Sequence, residues 1–242
     1  MKFWILFPPF LLLPLALPAQ PTDEDEPPTV EITIKTMAIG RGDFDGVLLQ
    51  AEEDADPVAL SFSRYRRSDP VEYKGTVPLV FFRQTPNPNP EEPPVRTPVA
   101  TYSMNPDNPV EDLLLFFLPL PEPDPATGFP FKVFGMDDSL AAFPRDSAII
   151  FNATGALLYG RVNGDEQVFR AGASQAFPLG RDFDAAFAVE TRDGPKLVFE
   201  NVLQFSEDLR AIVMLRPPNR ARSIRIVSYN IIERLDPALT EE

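Results

Sequence analysis

Two arginine islands are the groups in this sequence best suited to specific recognition. Arg64, Arg66 and Arg67 surround Tyr65 in SRYRR, and Arg216, Arg220, Arg222 and Arg225 punctuate RPPNRARSIR near the C-terminal end. A guanidinium offers a planar fork of N–H donors that matches carboxylate, phosphate or sulfate bidentately. Either island is therefore a candidate contact for an anionic envelope polymer or an acidic protein face. The plainer reading is pairing within the chain, which carries 36 Asp and Glu against 22 Lys and Arg, a net charge of -14. Exposed pairs of that kind contribute little to stability.

Other motifs weigh less. Asp137 with Asp138, and Asp182 with Asp184, are carboxylate pairs that could serve acid–base hydrolysis. Adjacent residues in a strand point to opposite faces, however, and surface charge explains both pairs. Asp43, Asp45 and Gly46, with Glu52, Glu53, Asp54 and Asp56 nearby, suggest part of a calcium loop, but the spacing of a complete one is not met. Arg41-Gly42-Asp43 matches an integrin-binding tripeptide, a three-residue coincidence in a turn. Asn152-Ala153-Thr154 fits a glycosylation acceptor, or simply a turn between strands.

The missing residue types exclude more than the motifs suggest. The sequence has no His and no Cys, which removes Ser-His-Asp and Cys-His catalysis and the ordinary zinc, haem and iron–sulfur sites. No catalytic residue, cofactor or metal is therefore expected. The single Trp is Trp4, in the leader, so the mature chain lacks the best ring for stacking on sugars and quaternary ammonium groups. The acidic balance opposes nucleic acid as a partner.

The elements that must position these groups are read from hydrophobic patterning. Residues 1–19 combine Lys2, an apolar run broken by Pro8, Pro9 and Pro14, and small residues at Ala16 and Ala19, the pattern of a cleaved secretory signal peptide. The run is short for a membrane span, so no transmembrane segment is expected after cleavage. Residues 20–28, acidic and proline-rich, read as a disordered spacer. TVEITIK then alternates Val30, Ile32 and Ile34 with polar residues, a half-buried strand.

Further strands are expected at 46–50, 58–64, 71–74, 77–83, 97–103 and 112–118, where LLLFFL suits a central position. Beyond them come 131–134, 147–152, 156–162, 167–171, 174–178, 185–191, 196–203, 210–216 and 223–234. Asn163-Gly164 has the residue types of a type I′ hairpin turn, and a second turn lies at 192–195. Residues 137–143 predict one short helical turn with an Asp cap, ended by Pro144. Two segments are rich in proline, 85–98 as an exposed loop and 119–130 as a stiff connector.

These readings give an all-β chain of two antiparallel β-sandwich modules, immunoglobulin-like or jelly-roll-like, after a signal peptide. The N-terminal module spans 29–118, the connector 119–130, the C-terminal module 131–235 and a tail 236–242. The run from AAFPRDSAIIFNATG through VNGDEQVFRAGASQAFPLG, with LRAIVMLRPP after it, resembles the C-terminal half of exported β-rich proteins of Verrucomicrobia-type environmental bacteria. That resemblance implies architecture and export, and it brings no catalytic residue.

The function expected from these features is binding or assembly at the cell envelope without covalent chemistry, through Arg-rich and Pro-rich loops. The periplasm is the expected compartment, with release outside the cell as the alternative. Two readings from other classes stand beside it: a cofactor-free hydrolase using paired carboxylates on polysaccharide, and a passive structural module. The sequence does not fix an oligomeric state.

Overall fold

The computed structural model of the protein describes residues 28–218 and 223–235. The expected signal peptide, the spacer as far as residue 27, the tail, Arg220 and Arg222 lie outside the described residues. The rest is all-β, with sixteen strands in four sheets of four. The first eight are β1 (Thr29–Ala38), β2 (Leu48–Leu49), β3 (Val58–Ala59), β4 (Val71–Thr76), β5 (Leu79–Thr85), β6 (Val95–Tyr102), β7 (Asp112–Pro119) and β8 (Phe131–Asp137). The second eight are β9 (Ser147–Asn152), β10 (Leu158–Val162), β11 (Asp165–Phe169), β12 (Gly172–Pro178), β13 (Asp182–Thr191), β14 (Gly194–Gln204), β15 (Leu209–Arg216) and β16 (Val227–Arg234).

Each set of eight folds into two sheets with one topology. The inner sheets have the orders β4-β1-β7-β8 and β12-β9-β15-β16, and the outer sheets β3-β2-β5-β6 and β11-β10-β13-β14. Adding eight to every strand number turns the first set into the second. The match extends to register. In each inner sheet the central pair is parallel, from Thr33 opposite Asp112 to Ala38 opposite Phe117 in one, and from Ser147 opposite Arg210 to Asn152 opposite Leu215 in the other. The outer sheets share a bulge, after Phe81 in the β5–β6 ladder and after Phe187 in β13–β14.

Two expectations are corrected by this pairing. The modules are not wholly antiparallel, because β1–β7 and β9–β15 run parallel, a non-local pairing that strand patterns do not reveal. The proline-rich segment 119–130 does not divide the modules. It is the loop of the β7–β8 hairpin, and β8 pairs along its whole length with β7, so residues 131–137 belong to the N-terminal sandwich. The loop is closed by bonds from Leu120 N to Pro130 O (2.9 Å) and from Asp124 N to Phe129 O (3.0 Å).

The loop expected over 85–98 is shorter: 86–94 join β5 to β6 as a mostly exposed hairpin loop, while Thr85 and 95–98 pair in the β5–β6 ladder. The turn expected at 137–143 is a single loop of chain, in which Asp137 Oδ1 accepts from Ser139 N and Phe143 N donates to Ser139 O. At Asn163-Gly164 both residues have positive φ, 51° and 93°, as a type I′ turn requires.

Burial explains why the central strands read as continuous apolar runs. In β7, Leu113, Leu115 and Phe117 face the core of the first sandwich, while Leu114 and Phe116 face the other way. In β15, Ala211, Val213 and Leu215 face the second core, and Ile212 and Met214 oppose them. The outward set of both strands joins Met37, Ile39, Ile149 and Phe151 in a third core between the two inner sheets. Phe116 and Phe151 meet there with ring centroids 4.4 Å apart. The result is four stacked layers in which both inner sheets are buried on each face, the situation that favours unbroken apolar strands.

Candidate functional site

The seam between the two inner sheets carries polar groups at its margins, and these divide into a neutralised set and an unneutralised one. The neutralised set centres on Asp138, whose side chain is 0% exposed. Its carboxylate accepts from Arg67 Nε at 2.8 Å and Nη2 at 2.7 Å, with Lys35 Nζ at 3.3 Å and Arg210 Nη2 at 3.6 Å. Lys35 also pairs with Asp112, and Arg67 and Arg210 both reach Glu233. Arg210 Nη1 donates to the carbonyls of Asp138 and Phe143. Three cations thus face three carboxylates drawn from both sandwiches and the chain between them. This is a structural tie, and it takes Arg67 out of the first island.

The rest of that island is held against β1. Thr36 Oγ1 donates to Ser61 O, Thr36 N donates to Ser68 Oγ, and Ala38 N donates to Ser63 O. The chain from Ser61 to Ser68 therefore runs beside β1, and Tyr65 projects across the seam, 61% exposed. Its ring meets the edge of Tyr229 on β16, with centroids 6.2 Å apart. Arg64 lies over the Tyr65 ring at 5.2 Å, a cation–π contact.

Arg216, the last residue of β15, comes from the other side. Its Nη2 lies 3.3 Å from where a Cβ on residue 40 would stand, and Gly40 has φ +86°. Glycine at this position allows both the left-handed backbone and the close approach of the guanidinium.

Tyr229 stands opposite Met214 in the β15–β16 ladder, two positions along from the partner of Arg216. Its hydroxyl is buried and finds no hydrogen-bond partner among the described residues. Burial raises its pKa above the ordinary tyrosine value, while the Arg216 and Arg64 guanidinium groups pull it back. Neither of those two cations is in an ion pair with a described residue.

Of the residues nominated from sequence, Arg64 and Tyr65 are brought together beside Tyr229, and Arg216 is placed against Gly40. Arg66 is exposed on the same loop. Arg225 sits in a segment tied elsewhere, since the next residue, Ile226, donates its N–H to Val198 O on β14. Tyr229, Gly40, Lys35, Asp112, Arg210 and Glu233 were not singled out by sequence, and Asp138 was weighed only as a surface acid. For Tyr229 the only available signal was its place in the alternating run SYNII, which marks a strand and not a site.

The other motifs resolve into structure. Asp138 is sequestered as described, and Asp137 accepts from Ser139 N. Asp184 pairs with Arg161 at 3.5 Å. Asp43 pairs with Arg83 at 3.1 Å. Among the described residues no three acids group as metal ligands. Asn152 is fully buried; its amide donates to Ala156 O and Phe169 O and accepts from Thr154, so its nitrogen is not presented for a glycan.

The outer sheets carry open depressions. One of about 710 Å³ lies beside Val80, Phe82, Pro98, Arg96 and Lys74, and one of about 570 Å³ lies over Tyr159, Val168, Ala188 and Leu197. Among the described residues, no helix is long and apolar enough to cross a membrane. No protein-family model and no curated protein matches the chain.

Proposed function

We propose that this chain is an exported, non-catalytic binding or assembly protein of the cell envelope, and that it holds an anionic polymer through the seam site. The observation that carries this reading is that Arg64 and Arg216 both lack an ion pair among the described residues at the seam. They come from opposite halves of the chain, Arg64 over Tyr65 beside Tyr229 and Arg216 against Gly40, and neither has a carboxylate partner among the described residues, in a chain of net charge -14. An acidic surface elsewhere supplies many possible partners for a stray arginine, so two without an ion pair among the described residues fit recognition of an external anion. The absence of His and Cys agrees with a role that makes and breaks no covalent bonds.

The test is retention of the mature chain on immobilised dextran sulfate at moderate salt. Wild type is expected to be retained, the double variant Arg64→Glu/Arg216→Glu to elute with at least tenfold weaker affinity, and the exposed control Arg192→Glu to behave as wild type. No retention, or equal loss in the control, overturns the reading. If crosslinking in the native host instead captures an acidic protein in an Arg216-dependent way, the partner is a protein face and the polymer assignment fails.

A further inference from the structure

We propose that the outward face of the β11-β10-β13-β14 sheet docks an extended peptide segment of a partner protein, one that carries an apolar side chain and a basic side chain two residues apart. This face belongs to the second sandwich and contains none of the seam residues. The inference therefore stands apart from the functional reading above.

Strand register assembles the surface. Val168 stands opposite Tyr159, Tyr159 opposite Ala188, and Ala188 opposite Leu197, so these four form one row across all four strands. The next row on the same face is Glu166, Arg161, Ala186 and Glu200, with the bulge in β14 taking up one extra residue. Side chains directly opposite one another lie about 5 Å apart. The intervening residues fix the orientation, since Leu158, Val162, Phe169, Ala185 and Phe187 all point into the second core.

Side-chain size then shapes the face. Along β13 only the methyl groups of Ala186 and Ala188 point outward, while Tyr159 and Arg161 rise from β10 and Leu197 and Glu200 from β14. The result is a trough along β13, and both rows line the open depression of about 570 Å³. Its walls stand two strand spacings apart, about 10 Å. That width admits one extended chain and is narrow for a helix, which measures about 10–12 Å across with its side chains.

The apolar row is open to solvent, with Tyr159 44%, Val168 47% and Leu197 56% exposed. Contiguous apolar surface of this kind marks interaction sites. The shared topology does not require it. The matching bulge puts Phe82 in the first sandwich where Ala188 stands in the second, and Phe82 is buried with the Arg96 guanidinium 4.8 Å from its ring. One outer sheet is thus covered by its own arginine, and the other is left open.

Charge selects the occupant. Glu166 and Glu200 flank the second row, and neither is in an ion pair with a described residue. Arg161, the one cation in the two rows, is already paired with Asp184 at 3.5 Å. An apolar row therefore lies beside a row with an excess of negative charge. Alternate side chains of an extended chain face the same way about 7 Å apart, so an apolar one over Ala188 brings a basic one to the acids. A second copy presenting the same face would double the acid excess, and like charges facing each other suppress such a pairing.

The experiment is calorimetric titration of the mature chain with the peptide acetyl-Thr-Lys-Thr-Leu-Thr-Lys-Thr-amide at about 0.15 M salt, where charge beyond about 8 Å is screened. Lysine on both sides of the leucine serves either chain direction. One peptide per chain is expected to bind. Peptides with serine for leucine, or glutamate for both lysines, should bind at least tenfold more weakly. Tyr159→Ser and Glu200→Lys should each weaken the parent peptide about tenfold. Glu122→Lys, the same charge change in the exposed β7–β8 loop, should leave its affinity within about twofold.

The peptide comparison uses wild type alone, so its result stands even if a variant folds poorly. No binding of the parent peptide overturns the proposal. Equal binding of the serine peptide, or equal weakening by Glu122→Lys, would reveal general attraction to an acidic chain and overturns it too. Sedimentation showing a wild-type dimer that Tyr159→Ser dissolves would give the face to a second copy, with the same consequence.

Discussion

Replacing Asp138 by asparagine removes one negative charge from the middle of the seam while keeping the shape of the side chain. In the native protein this carboxylate is inaccessible to solvent and takes a two-point contact from Arg67 at 2.7 and 2.8 Å, with Lys35 and Arg210 within 3.6 Å. Its loss leaves three cations against Asp112 and Glu233 alone, whose side chains are 33% and 31% exposed. Removing one member of a buried ion pair costs about 3–5 kcal/mol, because the remaining charges stay desolvated.

That is a large part of the 5–15 kcal/mol by which folded proteins are usually stable. With a urea m-value of about 3 kcal/mol/M, the midpoint should fall by on the order of 1 M. Far-UV circular dichroism through a urea titration reads this shift. The loss should persist in high salt, since buried charges are little screened. The exposed Arg161–Asp184 pair gives the contrast, and Arg161→Gln should cost less than about 1 kcal/mol. A midpoint for Asp138→Asn within about 0.3 M of wild type, or a loss that vanishes in salt, would refute the view that this cluster ties the two sandwiches.

Other changes probe separate parts of the fold. Gly160→Ala would place a Cβ 2.5 Å from Phe187 and 2.6 Å from Phe169, two buried rings already in edge contact. An overpacking loss of about 2–3 kcal/mol, or roughly 5–10 °C in Tm, is expected by calorimetry. Asn152→Ala strips four hydrogen bonds from a fully buried amide and should lower stability by about 3 kcal/mol in denaturant titration. Burial raises the pKa values of Tyr73, Tyr102 and Tyr229 above the ordinary 10.0. Their neutral forms therefore favour the fold. That contribution is complete below pH 10 and is lost as pH rises through the higher native values, so tyrosinate absorbance and loss of structure should advance together in strong alkali.

The strands were legible because burial leaves a local mark. TVEITIK alternates since one face of β1 meets a core, and LLLFFL does not alternate since β7 is buried on both faces. Legibility failed where the outcome depends on distant chain. Residues 58–64 look like one strand, yet only Val58–Ala59 pair, because the chain beyond Leu60 leaves the sheet to bond along β1. The composition of 119–130 correctly implies stiffness, but composition does not say which strands a stiff loop joins. The same limit applies at the site. Arg64 and Arg67 are three residues apart in one island, and one has no ion pair among the described residues while the other is consumed by Asp138. That difference follows from the course of the loop and from an acid 71 residues away, neither of which is marked locally.

The repeated topology sharpens what the seam can do. Corresponding positions in the two inner sheets follow from their shared register, and they have not kept the same residues. Asp112, opposite Thr33, corresponds to Arg210, opposite Ser147. Identical halves would bring like charge to both places, whereas this pair contributes opposite charges to one neutral cluster. A single chain carrying two different halves can build that complementarity, and two copies of one half could not.

The same correspondence bears on the anion site. The residue after Phe117 is Leu118, and the residue after Leu215, its counterpart, is Arg216. An apolar side chain therefore stands in the first sandwich where the second supplies a guanidinium. The topology is doubled but the site is not, so titration with a short dextran sulfate oligomer should saturate at one equivalent per chain. Saturation at two would mean that the anion is held by something the halves share, and the role assigned to Arg216 would have to be withdrawn.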